Sequence, residues 1–169
     1  MMYVLQVTSG HELDVRDALR RAGYRGKVPE EIRRERRGGQ WHDVRRILIP
    51  GYVFVILPGS MNAYEYITVR RSCMGYAIRI LGTPDPLALT PTEERYIDWL
   101  INGSKPLEPS VLEAGEHVTV LAGPLKGREA QIIRVNRRQR RATIAIYFAG
   151  AEHRITLSAD VLAASQTIS

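Results

Sequence analysis

Cysteine is almost absent from this chain: Cys73 stands alone among 169 residues. An internal disulfide is thereby excluded, and so is a zinc site built from several cysteines. No apolar run approaches the roughly 20 residues that a membrane-spanning helix needs. The opening Met1-Met2-Tyr3-Val4-Leu5-Gln6-Val7 carries neither a basic stretch nor a small-residue cleavage site, so it does not read as a secretion signal. These absences predict a cytoplasmic protein with no membrane partner. Catalytic groupings are missing too. His11, His42, His117 and His153 are scattered, and none stands at metal-ligand spacing from a second histidine or cysteine. Asp85 and Asp98 are lone carboxylates, and no motif marks Cys73 as a nucleophile. The sequence predicts no enzyme, no metal and no cofactor.

Lysine is scarce as well. Of 24 basic residues, three are lysines and 21 are arginines, within a net charge of +6 and a pI near 9.8. Such a balance favours polyanionic partners. Arginine suits bidentate phosphate contacts, although a GC-rich genome yields the same bias. The excess is uneven: residues 114–169 hold eight basic and four acidic side chains, against 16 and 14 before them.

The longest apolar stretch is Ile47-Leu48-Ile49-Pro50-Gly51-Tyr52-Val53-Phe54-Val55-Ile56-Leu57. Pro50-Gly51 marks a turn, and the β-branched and aromatic residues after it suit a central strand. Tyr52 and Phe54 are either core or a docking face. Tyr3–Val7 predicts a first strand. Ser9-Gly10-His11-Glu12 has the spacing of a capping box, followed by Val15, Ala18, Leu19 and Ala22 on one helix face. The turn lacks a glycine-rich phosphate loop, which argues against nucleotide binding. Residues 28–49 read as a hairpin turning at Gly38-Gly39, with Arg33, Arg34, Arg36, Arg37, Arg45 and Arg46 along its arms. Those charges either follow a phosphate backbone or keep an exposed edge soluble. Ser60 is expected to cap a second helix with Ala63, Tyr64 and Ile67 inward. Tyr76–Leu81 predicts a strand. Thr90-Pro91-Thr92-Glu93 is a second capping box, ahead of Ile97, Leu100 and Ile101.

Composition changes at Asn102–Ser110, where Gly, Ser and two prolines read as a linker. Beyond it, strands are predicted at Val118–Leu121, Ala130–Val135, Ala142–Phe148, His153–Leu157 and Val161-Leu162. Five short strands at this spacing predict a small antiparallel barrel.

Two motifs then coincide. Val118 to Ile132, with Gly123, Pro124, Lys126 and Gly127 in its turn, resembles a KOW motif. Gly127 is expected where a side chain would clash. Tyr3–Val7, Val28-Pro29-Glu30-Glu31 and Pro50–Val55 follow one another as in the NusG family of transcription elongation factors, which the chain resembles over nearly its whole length. The resemblance implies an α+β fold: an NGN-like α/β sandwich with an antiparallel sheet (1–102), a linker (103–113) and a five-stranded, SH3-like KOW barrel (114–169). It implies a monomer that binds the clamp helices of the largest catalytic subunit of RNA polymerase through Tyr3, Ile49, Tyr52, Phe54, Ile80 and Leu81. A second polymerase contact is implied at Ser60, Met61, Asn62 and Tyr64. Pausing and termination are then suppressed. The barrel is implied to recruit a ribosomal protein, a termination factor or RNA through a loop that includes Phe148 and Gly150. Nucleic-acid contact, with a nascent RNA hairpin or non-template DNA, is expected at Arg33, Arg34, Arg36, Arg37, Arg137, Arg138, Arg140 and Arg141.

The chain departs from the family pattern at Met2, where a tryptophan is usual, and at Ala149, which precedes Gly150. With its basic hairpin and loop, it looks more like a specialised LoaP-like antitermination paralogue. A housekeeping NusG-type factor and a ribosome-associated KOW protein are the alternatives. With Tyr3 and the KOW motif in view, Val53 and Val55 are expected to face the helices. Tyr52 and Phe54 are expected partly exposed on the opposite face.

Overall fold

A computed structural model of the chain describes residues 1–82 and 85–163. Numbered along the chain, its strands are β1 (Met2–Val7), β2 (Arg25–Lys27), β3 (Glu30–Arg37), β4 (Gln40–Ile47), β5 (Tyr52–Ile56), β6 (Ala77–Ile80), β7 (Ser110–Ala114), β8 (Val118–Ala122), β9 (Ile132–Asn136), β10 (Arg141–Phe148) and β11 (Ala151–Ala163). The helices are α1 (Glu12–Arg21), α2 (Ala63–Ser72) and α3 (Pro91–Ile101). Two compact units interleave along the sequence. The first comprises Met1–Pro29, Ile49–Lys105 and Tyr147–Ala151; the second comprises Glu30–Leu48, Pro106–Ile146 and the chain from Glu152 on. The fold is α+β, as predicted, with an antiparallel sheet and helices in one unit and a five-stranded sheet in the other.

In the first unit the sheet order is β2-β5-β1-β6. The apolar run supplies its central strand: Val53, Phe54 and Val55 are all fully buried. β1 pairs antiparallel with both β5 and β6, as Tyr3↔Val55, Val4↔Phe54 and Leu5↔Ile80. Gly26, opposite Val55, has no room for a side chain, since a Cβ there would sit 3.1 Å from the Arg16 carbonyl oxygen and 3.3 Å from Leu19 Cβ. α1 therefore lies close against this side of the sheet. Its apolar face is Val15, Ala18 and Leu19, as the spacing predicts, whereas Ala22 is exposed.

The start of α1 differs from expectation. His11 occupies the cap position without a side-chain cap bond, and Ser9 does not cap. The Glu12 carboxylate is instead buried and accepts from the Gly10 N–H at 3.0 Å and the Gly51 N–H at 2.8 Å. α2 begins at Asn62, not Ser60; the Asn62 side chain accepts from Glu65 N–H at 2.8 Å, and Met61 N–H donates to the Tyr3 hydroxyl at 2.8 Å. With the start fixed there, Val69 and Cys73 turn inward, four residues apart, while Ala63, Tyr64 and Ile67 face outward. The α3 start matches prediction: Thr90 and Glu93 form a reciprocal capping box with Pro91 in the first turn, and Ile97, Leu100 and Ile101 are buried.

In the second unit β3 and β4 form the predicted hairpin, in register from Glu30↔Ile47 to Arg37↔Gln40. The five-stranded sheet has the order β8-β7-β11-β10-β9. Two corrections apply to it. Ser110–Ala114, read as part of the linker, is a strand that pairs antiparallel with β8 and parallel with β11. The last two predicted strands are one, β11, which runs on through Ser158-Ala159-Asp160 because Ala159 and Asp160 pair with Ser110 and Val111 of β7. Leu112, Val120, Leu125, Ile144, Ile155, Leu157 and Val161 form the core. The hairpin belongs to this unit through buried Glu31, which accepts from Ser158 N–H at 2.7 Å and Arg33 Nε at 2.6 Å. The expected division at 103–113 follows composition, whereas the compact units follow contacts and group the hairpin with the β-rich part.

Candidate docking face and nucleic-acid interface

Strand pleating sorts the six residues expected to bind polymerase. Cross-strand partners share a face, so Tyr3 and Ile80 lie with Leu5, Val53, Val55 and Gly26 on the α1 side. Tyr52 and Phe54 lie on the other face, as predicted, beside Gln6 and Val4. Arg79 donates to the Gln6 amide oxygen at 2.9 Å and puts an exposed cation at the edge of this face. Ile49 is buried, and Leu81 is half-buried and donates its N–H to the Val4 carbonyl.

Only half of the expected exposure is found. Tyr52 is half-buried, but Phe54 is 0% exposed. What covers it is Phe148, from the Tyr147–Ala151 segment of the same unit. The Phe148 ring meets Phe54 at 5.7 Å and 64°, and Tyr52 at 5.9 Å and 88°, both edge-to-face geometries worth about 0.5–1.5 kcal/mol beyond area burial. Phe148, expected as an accessible recruitment residue, is itself fully buried. Beside it, Tyr147 is 64% exposed and Gly150 is exposed.

At the second expected polymerase contact, Ser60 Oγ lies 3.5 Å from the Met1 sulfur, Met61 is tied to Tyr3, and Asn62 caps α2. Tyr64 is 75% exposed, the one large apolar side chain of the four that is freely presented. Cys73 is buried, and that burial pushes its thiol up to about 11, with Arg70 opposing, a poor setting for a nucleophile. No group of acidic, histidine or cysteine side chains among the described residues could hold a metal ion. No helix among them is long and apolar enough to cross a membrane.

In the second unit the KOW turn is built on Gly123, not on Gly127. A Cβ at Gly123 would lie 2.6 Å from the Ser110 Cα, and its φ is +97°; at Gly127 the space is open and only the φ of +80° favours glycine. Pro124 follows in the turn, which closes through Lys126 N–H to the Gly123 carbonyl and is pinned by Leu125 N–H to the buried Ser110 hydroxyl at 3.0 Å. Across this unit, the fold places Arg34 and Arg36 of the hairpin beside Arg138 and Arg141 at one cleft. Sequence reading missed Trp41 at the same cleft. Its position in the β4 arm, opposite Arg36, was the available signal.

A sheet face bearing paired aromatics and a cationic surface of arginines are features suited to binding. Residues 2–97 match the family described as transcription termination factor NusG, and residues 114–145 match the KOW motif. The chain belongs to the NusG family. Among its relatives, the transcription termination/antitermination protein NusG of Pseudomonas aeruginosa is 29% identical over 162 residues, covering 88% of this chain and 89% of the relative. The fold resembles that of a solved Thermotoga maritima NusG, described for its domain interaction, with a TM-score of 0.55 and 20% identity over 93% of this chain and 92% of that one.

Proposed function

We propose that this protein is a processive elongation and antitermination factor that grips the clamp helices of the largest catalytic subunit of RNA polymerase. Residues 1–102 carry the polymerase-binding surface and residues 114–169 the KOW domain, whose sheet takes in β7 (Ser110–Ala114) from the end of the expected linker. The observation that carries this reading is the pair Tyr52 and Phe54, set on the sheet face turned away from α1 and capped by an aromatic side chain from residues 147–151. An apolar face covered by a short segment suits reversible docking: Phe148 leaves and a partner helix takes its place. Ile49 and Leu81 border the pair, while Tyr3 and Ile80 support it from behind. Tyr64 and its neighbours Ser60, Met61 and Asn62 make the second polymerase contact. Bridging the two, the protein holds the clamp closed and suppresses pausing in the cytoplasm, as a monomer.

Specialisation of the LoaP kind is favoured by the density of arginine on the hairpin and on the β9–β10 loop, which suits a nascent RNA hairpin or non-template DNA. Arg37 and Arg137 extend that surface. The reading is tested by polymerase capture with the full chain. Tyr52→Ala is expected to weaken capture at least tenfold, and Phe148→Ala to strengthen it. Undiminished capture by Tyr52→Ala removes the docking face from the account. In vitro transcription through terminators then separates read-through from enhanced termination.

A further inference from the structure

The arginines of the second unit divide by what they already hold. Arg33 donates to buried Glu31 and to the Thr156 carbonyl at 3.2 Å. Arg34 is paired with Asp160 and lies 3.5 Å from Asp43. Arg37 donates to Glu35 at 3.0 Å. The Arg140 guanidinium sits over the Trp41 ring, 4.2 Å from its centroid, and 3.9 Å from Asp160. These four brace the fold or one another. Arg36 and Arg138 are exposed and meet no carboxylate among the described residues. Arg141 is half-buried and donates to the Arg140 carbonyl at 3.1 Å. Its burial, and then the neighbouring Arg33 charge, pull its pKa down, with Glu31 and Glu35 opposing. A guanidinium in that setting is short of negative charge.

The three guanidiniums without a carboxylate partner among the described residues meet in one place. Arg36, Arg138 and Arg141 line a cleft of about 530 Å³ together with Arg34, Glu35 and Trp41. Glu35, the carboxylate among them, is already held by Arg46 at 2.7 Å and by Arg37. The cleft is therefore cationic, with an indole in its wall.

We propose that this cleft binds an unpaired nucleic-acid strand, with Arg36, Arg138 and Arg141 on its phosphates and Trp41, one face of which Arg140 covers, offering its remaining face to a base. A duplex keeps its bases stacked inside and cannot offer one to an indole, whereas a single strand or a hairpin loop can. The inference rests on the proposed function only for the source of the strand, and its two contributing segments, the β3–β4 hairpin and the β9–β10 loop, lie about 100 residues apart in sequence. Neither is complete as a site without the other.

The test uses the full chain with labelled oligo(U), oligo(dT) and an RNA duplex of equal length, followed by anisotropy across a KCl series. Arg36→Ala/Arg138→Ala is expected to bind oligo(U) about tenfold more weakly and to lose about 1.4 from the salt slope, some 0.7 for each phosphate contact. The charge-keeping Arg36→Lys/Arg138→Lys retains the slope, and circular dichroism checks that both variants fold. In a Trp99→Phe background, oligo(U) quenches Trp41 fluorescence. Equal binding of oligo(U) and oligo(dT) supports recognition of the shared phosphodiester chemistry, and tighter oligo(U) binding supports an added 2′-hydroxyl contact. Unchanged affinity and slope in the alanine variant overturn the proposal, as do duplex binding as tight as single-strand binding, absent quenching, or equal displacement by a poly-glutamate peptide. Polymerase capture by the same alanine variant stays intact, so failure here is distinct from failure of the docking face.

Discussion

The starts of α1 and α3 carry the same sequence signal and fold differently. Ser9-Gly10-His11-Glu12 and Thr90-Pro91-Thr92-Glu93 both place a hydroxyl three residues before a glutamate. At α3 the signal is honoured: Glu93 returns to the Thr90 N–H at 2.8 Å, and the Thr90 hydroxyl accepts from Glu93 N–H at 3.3 Å. At α1 the glutamate is diverted. Glu12 is buried beneath the turn that leads into β5, and the Gly51 N–H, 39 residues away, takes its carboxylate. The α3 start is exposed, so no competing donor reaches it. A capping box is a local contract, and a buried backbone donor outbids it because an unpaired N–H in the interior is costly.

The largest test of this contrast is Glu12→Ala. It leaves the Gly10 and Gly51 N–H groups without their acceptor and is expected to cost about 3 kcal/mol in urea unfolding. Thr90→Ala removes an ordinary cap and should cost about 1 kcal/mol. If the two losses prove equal, Glu12 is acting as a capping residue after all. Ser9→Ala should fall within about 0.5 kcal/mol of the parent, since its hydroxyl caps nothing; a loss as large as that of Thr90→Ala would restore the box. Glu35 extends the comparison to a carboxylate held by side chains at the surface. Hydrogen bonds from Arg46 and then Arg37 hold its pKa down at about 2, against 4.5 ordinarily. Its contribution is present above about pH 4.5 and is lost as pH falls toward 2, and solvent screening keeps it small. Carboxyl NMR should find Glu35 titrating near 2, and Arg46→Ala should return it toward 4.5.

Elements with a strong local signature were legible in the sequence. The apolar run gave the central strand, Gly38-Gly39 gave the hairpin turn, and the Thr90 box gave α3. Distant partners were not legible. Ser110–Ala114 carries the prolines of a linker just ahead of it, and it becomes a strand by pairing with β8 close behind it and with β11 some 50 residues later. The face of α2 was misjudged: Val69 and Cys73 turn inward, and Ala63, Tyr64 and Ile67 do not. Parity along β5 was read correctly from the alternation taken together with the family resemblance. The cover over Phe54 was not, because Phe148 lies 94 residues on, and nothing in its own strand marks it as a partner for Tyr52. The arginines were found by charge, while the division between braces and free cations needed the positions of Glu31, Asp160 and Trp41.

The bond from Ser158 N–H to Glu31 joins residues 127 apart. At synthesis rates of about 5–20 residues per second, the hairpin leaves the ribosome roughly 6–25 s before the strand that receives it has been made. The outer edge of β3 receives Leu107 first, through the Ile32 N–H and the Glu30 carbonyl, and the backbone beyond it waits for Ser158. The charged side chains along the arms, arginine above all, then act against intermolecular strand pairing. The hairpin's charge thus serves first to carry it through its own translation.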